Sequence, residues 1–357
     1  MKTIQILTQE AIGLLKALIE TPSFSSEEDK TALLVENWFT QNGIPFQREN
    51  NNVWAFNQHF DKRKPTLLLN SHHDTVKPNQ GYTNDPFEAI EKDGKLFGLG
   101  SNDAGGCLVS LLATFVHFYG QENLPYNIVI VASAEEESSG KNGLNSVLQH
   151  LPELNCAIVG EPTLMQLAIA EKGLLVLDVI VKGTASHAAH QNEDNPIYNA
   201  MPIIDWFKSY QFEKISEVLG PVKMTVTQVS AGKQHNVVPA ECHLVVDIRV
   251  NDCYSNTEIL ATVKSHLSVE INPRSMNLNA SSIPLEHGLV QAGISLGRTT
   301  YGSPTLSDQS VLSCQSLKLG PGETLRSHSA NEFIFINEIE EGIQLYIKIL
   351  TDFFKKQ

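Results

Sequence analysis

The sequence predicts an α/β fold, with a mixed, mostly parallel sheet between helices and a ferredoxin-like α+β domain inserted into the chain. Three observations support this. Apolar runs at 66–70, 127–133 and 156–160 are short enough for strands buried on both faces, and helical patterns separate them. Each run leads into imidazole or carboxylate side chains: Ser71-His72-His73-Asp74, then Glu135-Glu136-Glu137, then Glu161. Ligands in open α/β sheets sit outside the carboxyl ends of the strands, so this recurrence marks one site. After Lys172-Gly173 the pattern changes to half-exposed alternation in the order β-α-β-β-α-β.

Taken in order, Ile4, Leu7, Leu14, Leu15, Leu18 and Ile19 space out as an amphipathic helix that ends near Thr21-Pro22-Ser23. A second apolar-periodic stretch covers about 27–41, with a short strand near 53–56 before the run at 66–70. Gly98-Leu99-Gly100 leads to Ser101-Asn102-Asp103, and 107–119 reads as a buried helix. A helix near 143–150 separates the second and third strands. In the insert, strands are expected at 174–181, 223–229 and 243–250, helices at 196–210 and 257–267, and a short strand after them. From about Ile283 the chain reads as turns, then closes with a helix at 338–354. The expected domains are 1–173 with 283–357, and 174–282.

With 357 residues, roughly two domains are expected, with ample chain for a core. A formal net charge of −14 repels phosphate backbones and anionic lipid, which argues against nucleic-acid or membrane partners. Five scattered cysteines without a Cys-x-x-Cys pair fit a reduced compartment. The N-terminal stretch lacks the apolar core of a signal peptide, so a cytoplasmic protein is expected.

A hydrolytic metal site needs imidazole and carboxylate ligands, an open position and a nearby base, and two adjacent metals need a bridging carboxylate. His72, Asp103, Glu136, Glu137, Glu161 and His328 can supply that set. Each alone would pass for a solvated loop residue, and it is their convergence from strand ends that carries weight.

These motifs resemble the zinc-dependent amidohydrolase and exopeptidase clan that includes acetylornithine deacetylases, succinyl-diaminopimelate desuccinylases, aminoacylases and glutamate carboxypeptidases. His72-His73-Asp74 is similar to its His-x-Asp signature. The resemblance implies that His72 binds one metal and that Asp74 orients its ring, while His73 takes the variable position. Asp103 matches the bridging aspartate, although Ala104-Gly105-Gly106 replaces the usual Met-Lys-Gly. The acidic run with Gly140 and Gly143 implies Glu136 as general base and Glu137 as ligand; a register one residue earlier, on Glu135 and Glu136, stays open. Gly160-Glu161-Pro162-Thr163 matches the deacetylase and desuccinylase branch, where Glu161 binds the first metal. Gly320-Pro321-Gly322 with Ser327-His328 matches the motif that binds the second. A base among carboxylates is expected to have a raised pKa.

In the insert, Gly183 to His187 resembles the motif of a lid and dimerisation domain whose histidine crosses a dimer interface to stabilise an oxyanion. Asn236 and Arg249 are similar to lid residues that hold a substrate carboxylate, although Arg249 equally suits an ion pair on its own strand. The resemblance thus implies a homodimeric hydrolase with two Zn2+, for which Co2+ or Mn2+ could substitute. Its substrate would be a small N-acylated amino acid such as N2-acetyl-ornithine of arginine biosynthesis, or the succinyl or citrulline analogue. Acetyl-lysine deacetylase, desuccinylase, aminoacylase and dipeptidase activities are alternatives within the clan, and an inactive amino-acid-binding scaffold is the alternative outside it. The stretch 303–309 departs from the clan pattern; Lys172, Lys233 and Arg298 are candidate partners for a succinyl carboxylate, and Asp308 for an ornithine amine. Gly293-Ile294-Ser295-Leu296-Gly297 fits the serine-hydrolase elbow, but no apolar strand precedes it, and the glycines at 98–106 are too loose for a dinucleotide loop.

Overall fold

The computed structural model describes residues 2–356. The chain forms two compact units: one takes the chain up to Ile169, Ser282–Tyr301 and everything from Ser307 on, and the other takes Ala170–Ser281 with Gly302–Leu306.

The first unit is built on a mixed sheet whose order runs Gln47–Glu49, Asn52–Phe56, Asn127–Ser133, Thr66–His72, Cys156–Val159, Gln315–Lys318 and Leu167–Glu171. Its centre is parallel: Thr66–His72 pairs in parallel with both Asn127–Ser133 and Cys156–Val159, and the latter with Gln315–Lys318. Every residue of Thr66–His72 is buried. Strand alternation sends Leu67 and Leu69 into the larger core beneath helices Ile4–Ile19, Gly106–Tyr119 and Ile336–Lys355, while Leu68 joins a smaller core with Trp54 and Val147 on the other face. Parallel strands share a direction, so all four carboxyl ends open on one edge of the sheet. Register fixes their levels: His72 lies beside Ser133, and Asn70 and Lys318 flank Val159 on either side.

The second unit is an antiparallel sheet in the order Lys223–Ala231, Glu241–Val250, Gly173–Lys182, Glu270–Pro273. With helices Pro196–Ser209 and Asn256–His266, this is the ferredoxin-like arrangement. Leu175, Leu177, Val179 and Val181 alternate into its core against Ala200, Phe207, Ile259 and Val263. Asn195 caps the first helix ahead of Pro196, and Ser255 with Glu258 closes a capping box on the second.

Differences from the sequence reading fall where patterns are short. The stretch at 143–150 is only one α-turn, Leu144–Val147, followed by a 3-10 turn. The region read as turns holds a helix, Gly288–Ser295, and the sheet strand Gln315–Lys318. Eight residues with glycines at two positions give little periodicity, and a strand of sequence QSLK shows no apolar run. Ser295 lies in the last turn of its helix and does not open one, as a nucleophile elbow would require. Among the described residues no helix is long and apolar enough to cross a membrane.

His73, the residue after the central strand, points away from its neighbour. Its Nε2 faces the carbonyl of Asn51 at 2.9 Å and its Nδ1 the hydroxyl of Thr31 at 2.9 Å. A carbonyl only accepts, so Nε2 carries the proton of a neutral ring. Burial pulls this imidazole down from the usual 6.5 to about 4, against the backbone hydrogen bond to Asn51. Between those values the unfolded chain binds a proton that the folded chain does not, so this contribution is full above the ordinary pKa and is lost as the pH falls. His73→Gln should therefore flatten the acid limb of stability. In urea unfolding, the wild type should lose roughly 2 kcal/mol more than the variant between pH 7 and pH 5; equal losses would contradict a neutral, buried His73.

Candidate metal centre

The edge of the sheet gathers the six expected polar residues from three strand ends, one helix entrance and the loop that carries His328. His72 ends its strand with the side chain 1% exposed. Its Nδ1 lies 3.0 Å from the carbonyl of Asp74 and 3.3 Å from that residue's Oδ1, so Nδ1 donates, and Nε2 is the nitrogen whose lone pair a neutral ring would offer to a metal. That Nε2 is buried and has no hydrogen-bond partner. Facing it are Asp103 Oδ1 at 3.5 Å and Glu161 Oε1 at 3.8 Å. Against burial, the carboxylates of Asp103 and Asp74 raise the metal-free ring well above the usual 6.5, so it holds a proton there.

Asp103 lies in the irregular turn Ser101–Gly105 that opens the buried helix Gly106–Tyr119. Its second oxygen, Oδ2, lies 3.5 Å from Nε2 of His328, and the same nitrogen is 3.1 Å from each oxygen of Glu137. One carboxylate thus faces two imidazoles, one through each oxygen. His72, Asp103 and Glu137 offer ligand atoms that all lie within 4.8 Å of one another.

A buried ring nitrogen and two carboxylates converging on one space need a positive charge between them, which a proton supplies in the metal-free site and a metal ion can replace. Ligand atoms about 2.0–2.2 Å from a tetrahedral ion stand roughly 3.3–3.6 Å apart, which is the scale of the contacts around His72 and Asp103. The donor set fits two divalent ions: His72, Asp103 and Glu161 around one position, His328, Glu137 and Asp103 around the other. Without such charge two of the carboxylates, Glu161 and Glu136, are pushed toward the protonated form. Burial, then Asp103, push Glu161 up to about 8. Glu136 is also raised well above the carboxylate range, by burial first, with Glu161, Asp308 and Glu137 adding to it and His72 opposing. The direction is the one expected from sequence, but burial is the larger cause. His328 is raised to about 9, first by its hydrogen bond to Glu137.

The acidic run after Asn127–Ser133 divides its work by conformation. Glu135, in the left-handed region at φ 54°, accepts from the backbone and side chain of Asn142, both at 3.0 Å, and from Ser26 at 3.1 Å. A Cβ on Gly140 would stand 2.0 Å from Glu135 Oε2, so only glycine lets this turn close over the carboxylate. The backbone N–H groups of Glu136 and Glu137 donate to the two oxygens of Asp74, each at 3.1 Å. Asp74 also accepts from Ser25 at 2.7 Å. It therefore ties the His72 strand to the Glu136–Glu137 turn.

Other supports were not legible in sequence. Glu332, fully buried, accepts from the backbone N–H of Asn102 at 2.8 Å and of Asp103 at 2.9 Å, and burial followed by Asp103 raises it to about 8. The Asn102 side chain donates to the Glu323 carbonyl at 3.1 Å and accepts from its N–H at 2.9 Å, clamping the Asp103 turn to the loop that carries His328. Asp308 is buried beneath the strand ends, where Oδ2 accepts from Asn70 at 2.8 Å and Ser133 at 2.6 Å. Nothing in the local sequence pairs these residues, which lie more than 170 positions apart.

In the second unit, His187 is exposed on the two-residue strand Ser186–His187, paired with Val237–Val238, and its Nδ1 accepts from the N–H of Ala189 at 3.1 Å. The carbonyl of Asn236 accepts from Ala188 at 2.9 Å. Arg249 forks onto Asp247, at 2.9 and 3.1 Å, which is the ion pair on its own strand. Lys172 donates to the carbonyl of Pro221 at 3.1 Å, Lys233 is exposed, and Arg298 lines a pocket to which none of the six cluster residues contributes.

Known proteins share this architecture. A sequence profile of peptidase family M20/M25/M40 matches residues 68–352. Succinyl-diaminopimelate desuccinylase 2 of Ruegeria sp. (strain TM1040) is 22% identical over 382 residues, covering 97% of this chain and 95% of the relative. An M20 family metallo-carboxypeptidase, Sso-CP2 from Sulfolobus solfataricus, superposes with a TM-score of 0.76 at 16% identity, covering 96% of this chain and 99% of the other. The YXEP protein of Bacillus subtilis, a dinuclear metal-binding peptidase of family M20, gives a TM-score of 0.71 at 13% identity, covering 99% and 100%. The profile spans most of the chain and every position of the cluster from His72 to His328: the protein belongs to peptidase family M20/M25/M40 and is a metal-dependent hydrolase of that family.

Proposed function

We propose that the protein hydrolyses the amide of a small N-acylated amino acid, with N2-acetyl-ornithine or its succinyl or citrulline analogue as substrate. The observation that carries the two-metal reading is Asp103, whose two oxygens face His72 and His328 separately. Two divalent ions held by His72, Asp103, Glu161 and by His328, Glu137, Asp103 would supply Lewis-acid polarisation of the carbonyl and a water acidic enough to ionise near neutrality. Zinc suits this imidazole and carboxylate set, and cobalt or manganese would fit it too.

The chain's own part is proton handling and positioning. Glu136 takes the proton of the attacking water on its carboxylate and returns it to the leaving amine, which a carboxyl group with a raised pKa can do near neutrality. Asp74 holds the His72 ring and the Glu136–Glu137 backbone, so base and ligands keep one geometry. His187 donates to the oxygen of the tetrahedral carbon, and Asn236 and Arg249 hold the substrate carboxylate, for which Arg249 has to exchange Asp247. The second unit acts as lid and dimerisation domain: Lys223–Ala231 is a sheet-edge strand, mostly exposed, and Tyr198, Met201 and Val229 are exposed apolar residues.

The desuccinylase name of the Ruegeria relative favours a second reading, a succinylated diamino acid. Amine release from N-acetyl-ornithine, N-succinyl-ornithine, N-acetyl-citrulline and N-succinyl-diaminopimelate, measured side by side, separates the two. No release from any of them would sink both.

Glu136→Gln should keep two metal ions per chain by elemental analysis and lower kcat by about 10²-fold or more. Turnover close to wild type would exclude Glu136 as the base. His187→Ala should lower kcat by about 10²–10³-fold. If His187 serves the partner's site, mixing the inactive E136Q and H187A proteins after dissociation should restore activity in hybrid dimers. Absence of complementation, or a monomer in sedimentation with full activity, would contradict that role.

A further inference from the structure

The first unit holds a second concavity of about 340 Å³, within the range of small-molecule sites. Its apolar walls are Leu164, Met165, Phe335 and Leu345, and its charged groups include Arg298 and Glu341. Among the described residues no hydrogen bond or ion pair reaches the guanidinium of Arg298, and its Nε is buried without a partner. That is unusual in a chain with 40 acidic and 26 basic residues. Glu338, also in the pocket, is taken by Arg326 at 2.7 and 3.1 Å and leaves Arg298 without a counter-ion. Glu341 has only a long contact from Asn337, at 3.4 Å.

A half-buried guanidinium with an open fork is a receptor for a planar carboxylate. Glu341 adds an acceptor for an ammonium, and the apolar wall suits an aliphatic chain. We infer that this pocket binds a free α-amino acid, with its carboxylate on Arg298, its ammonium toward Glu341 and its side chain against Leu164, Met165, Phe335 and Leu345. The site is separate from the metal centre but adjoins its framework. Leu164 donates to the carbonyl of Gly322 at 2.6 Å and Met165 to that of Gly320 at 2.9 Å, which joins the loop after Glu161 to the loop before His328.

Titration calorimetry on the full-length, metal-loaded protein tests this with leucine, 4-methylpentanoate (leucine without its amine) and 3-methylbutylamine (leucine without its carboxylate). Leucine should bind, with each half-analogue weaker by about tenfold or more. Arg298→Ala should abolish leucine binding while leaving KM for amide hydrolysis unchanged. Glu341→Gln, on an exposed helix face, should erase the difference between leucine and 4-methylpentanoate. Three results would overturn the inference: no leucine binding at millimolar concentration, leucine binding unaltered in R298A, or a KM that rises in R298A in step with the lost binding. The last would place Arg298 in the catalytic cleft.

Discussion

The site depends on one arrangement: the carboxylate of Asp103 held between two imidazoles, with two more carboxylates close by and little water to screen them. Like charges at this spacing repel, and burial makes each ionised group costlier. The raised pKa values of Glu136, Glu161 and Glu332 express that cost. Divalent charge would relieve it, so the same crowding that destabilises the bare cluster gives it affinity for metal.

Holding such a cluster requires supports that do not themselves bind a cation. Glu332 accepts from two backbone N–H groups of the Asp103 turn, Asn102 laces that turn to the loop of His328, and Asp74 joins the His72 strand to the acidic turn. Each link ties together segments far apart in sequence. His72 is buried on a central strand whereas His328, in the left-handed region at φ 57°, is about half exposed on a loop. The two halves of the cluster therefore differ in burial.

Close backbone approach makes the rest possible. A Cβ on Gly320 would meet the Glu161 carbonyl at 2.6 Å, and Thr163 exchanges hydrogen bonds with the Gly320 backbone at 3.1 Å in both directions. The two motifs that carry Glu161 and His328 are thus one packed unit, although about 160 residues separate them. The amino-acid pocket lies against the same pair of loops.

Sequence by itself determined the central strands and their ends. A run such as Leu67-Leu68-Leu69 can be satisfied only with apolar cover on both faces, and the polar residues after it then stand at the sheet's carboxyl edge. The cluster from His72 to His328 was legible for that reason and through its motif spacing. The strand Gln315–Lys318 was not, because four half-polar residues gain strand character only from their parallel neighbour Cys156–Val159. Tertiary structure alone decided that Glu135 turns to Asn142 while Asp74 takes the backbone of Glu136 and Glu137, that Asp308 lies under Asn70 and Ser133, and that Arg249 meets Asp247. Apolar pattern is written locally because burial follows strand and helix period. Where a carboxylate or guanidinium points depends on partners that only the folded chain brings within hydrogen-bond reach.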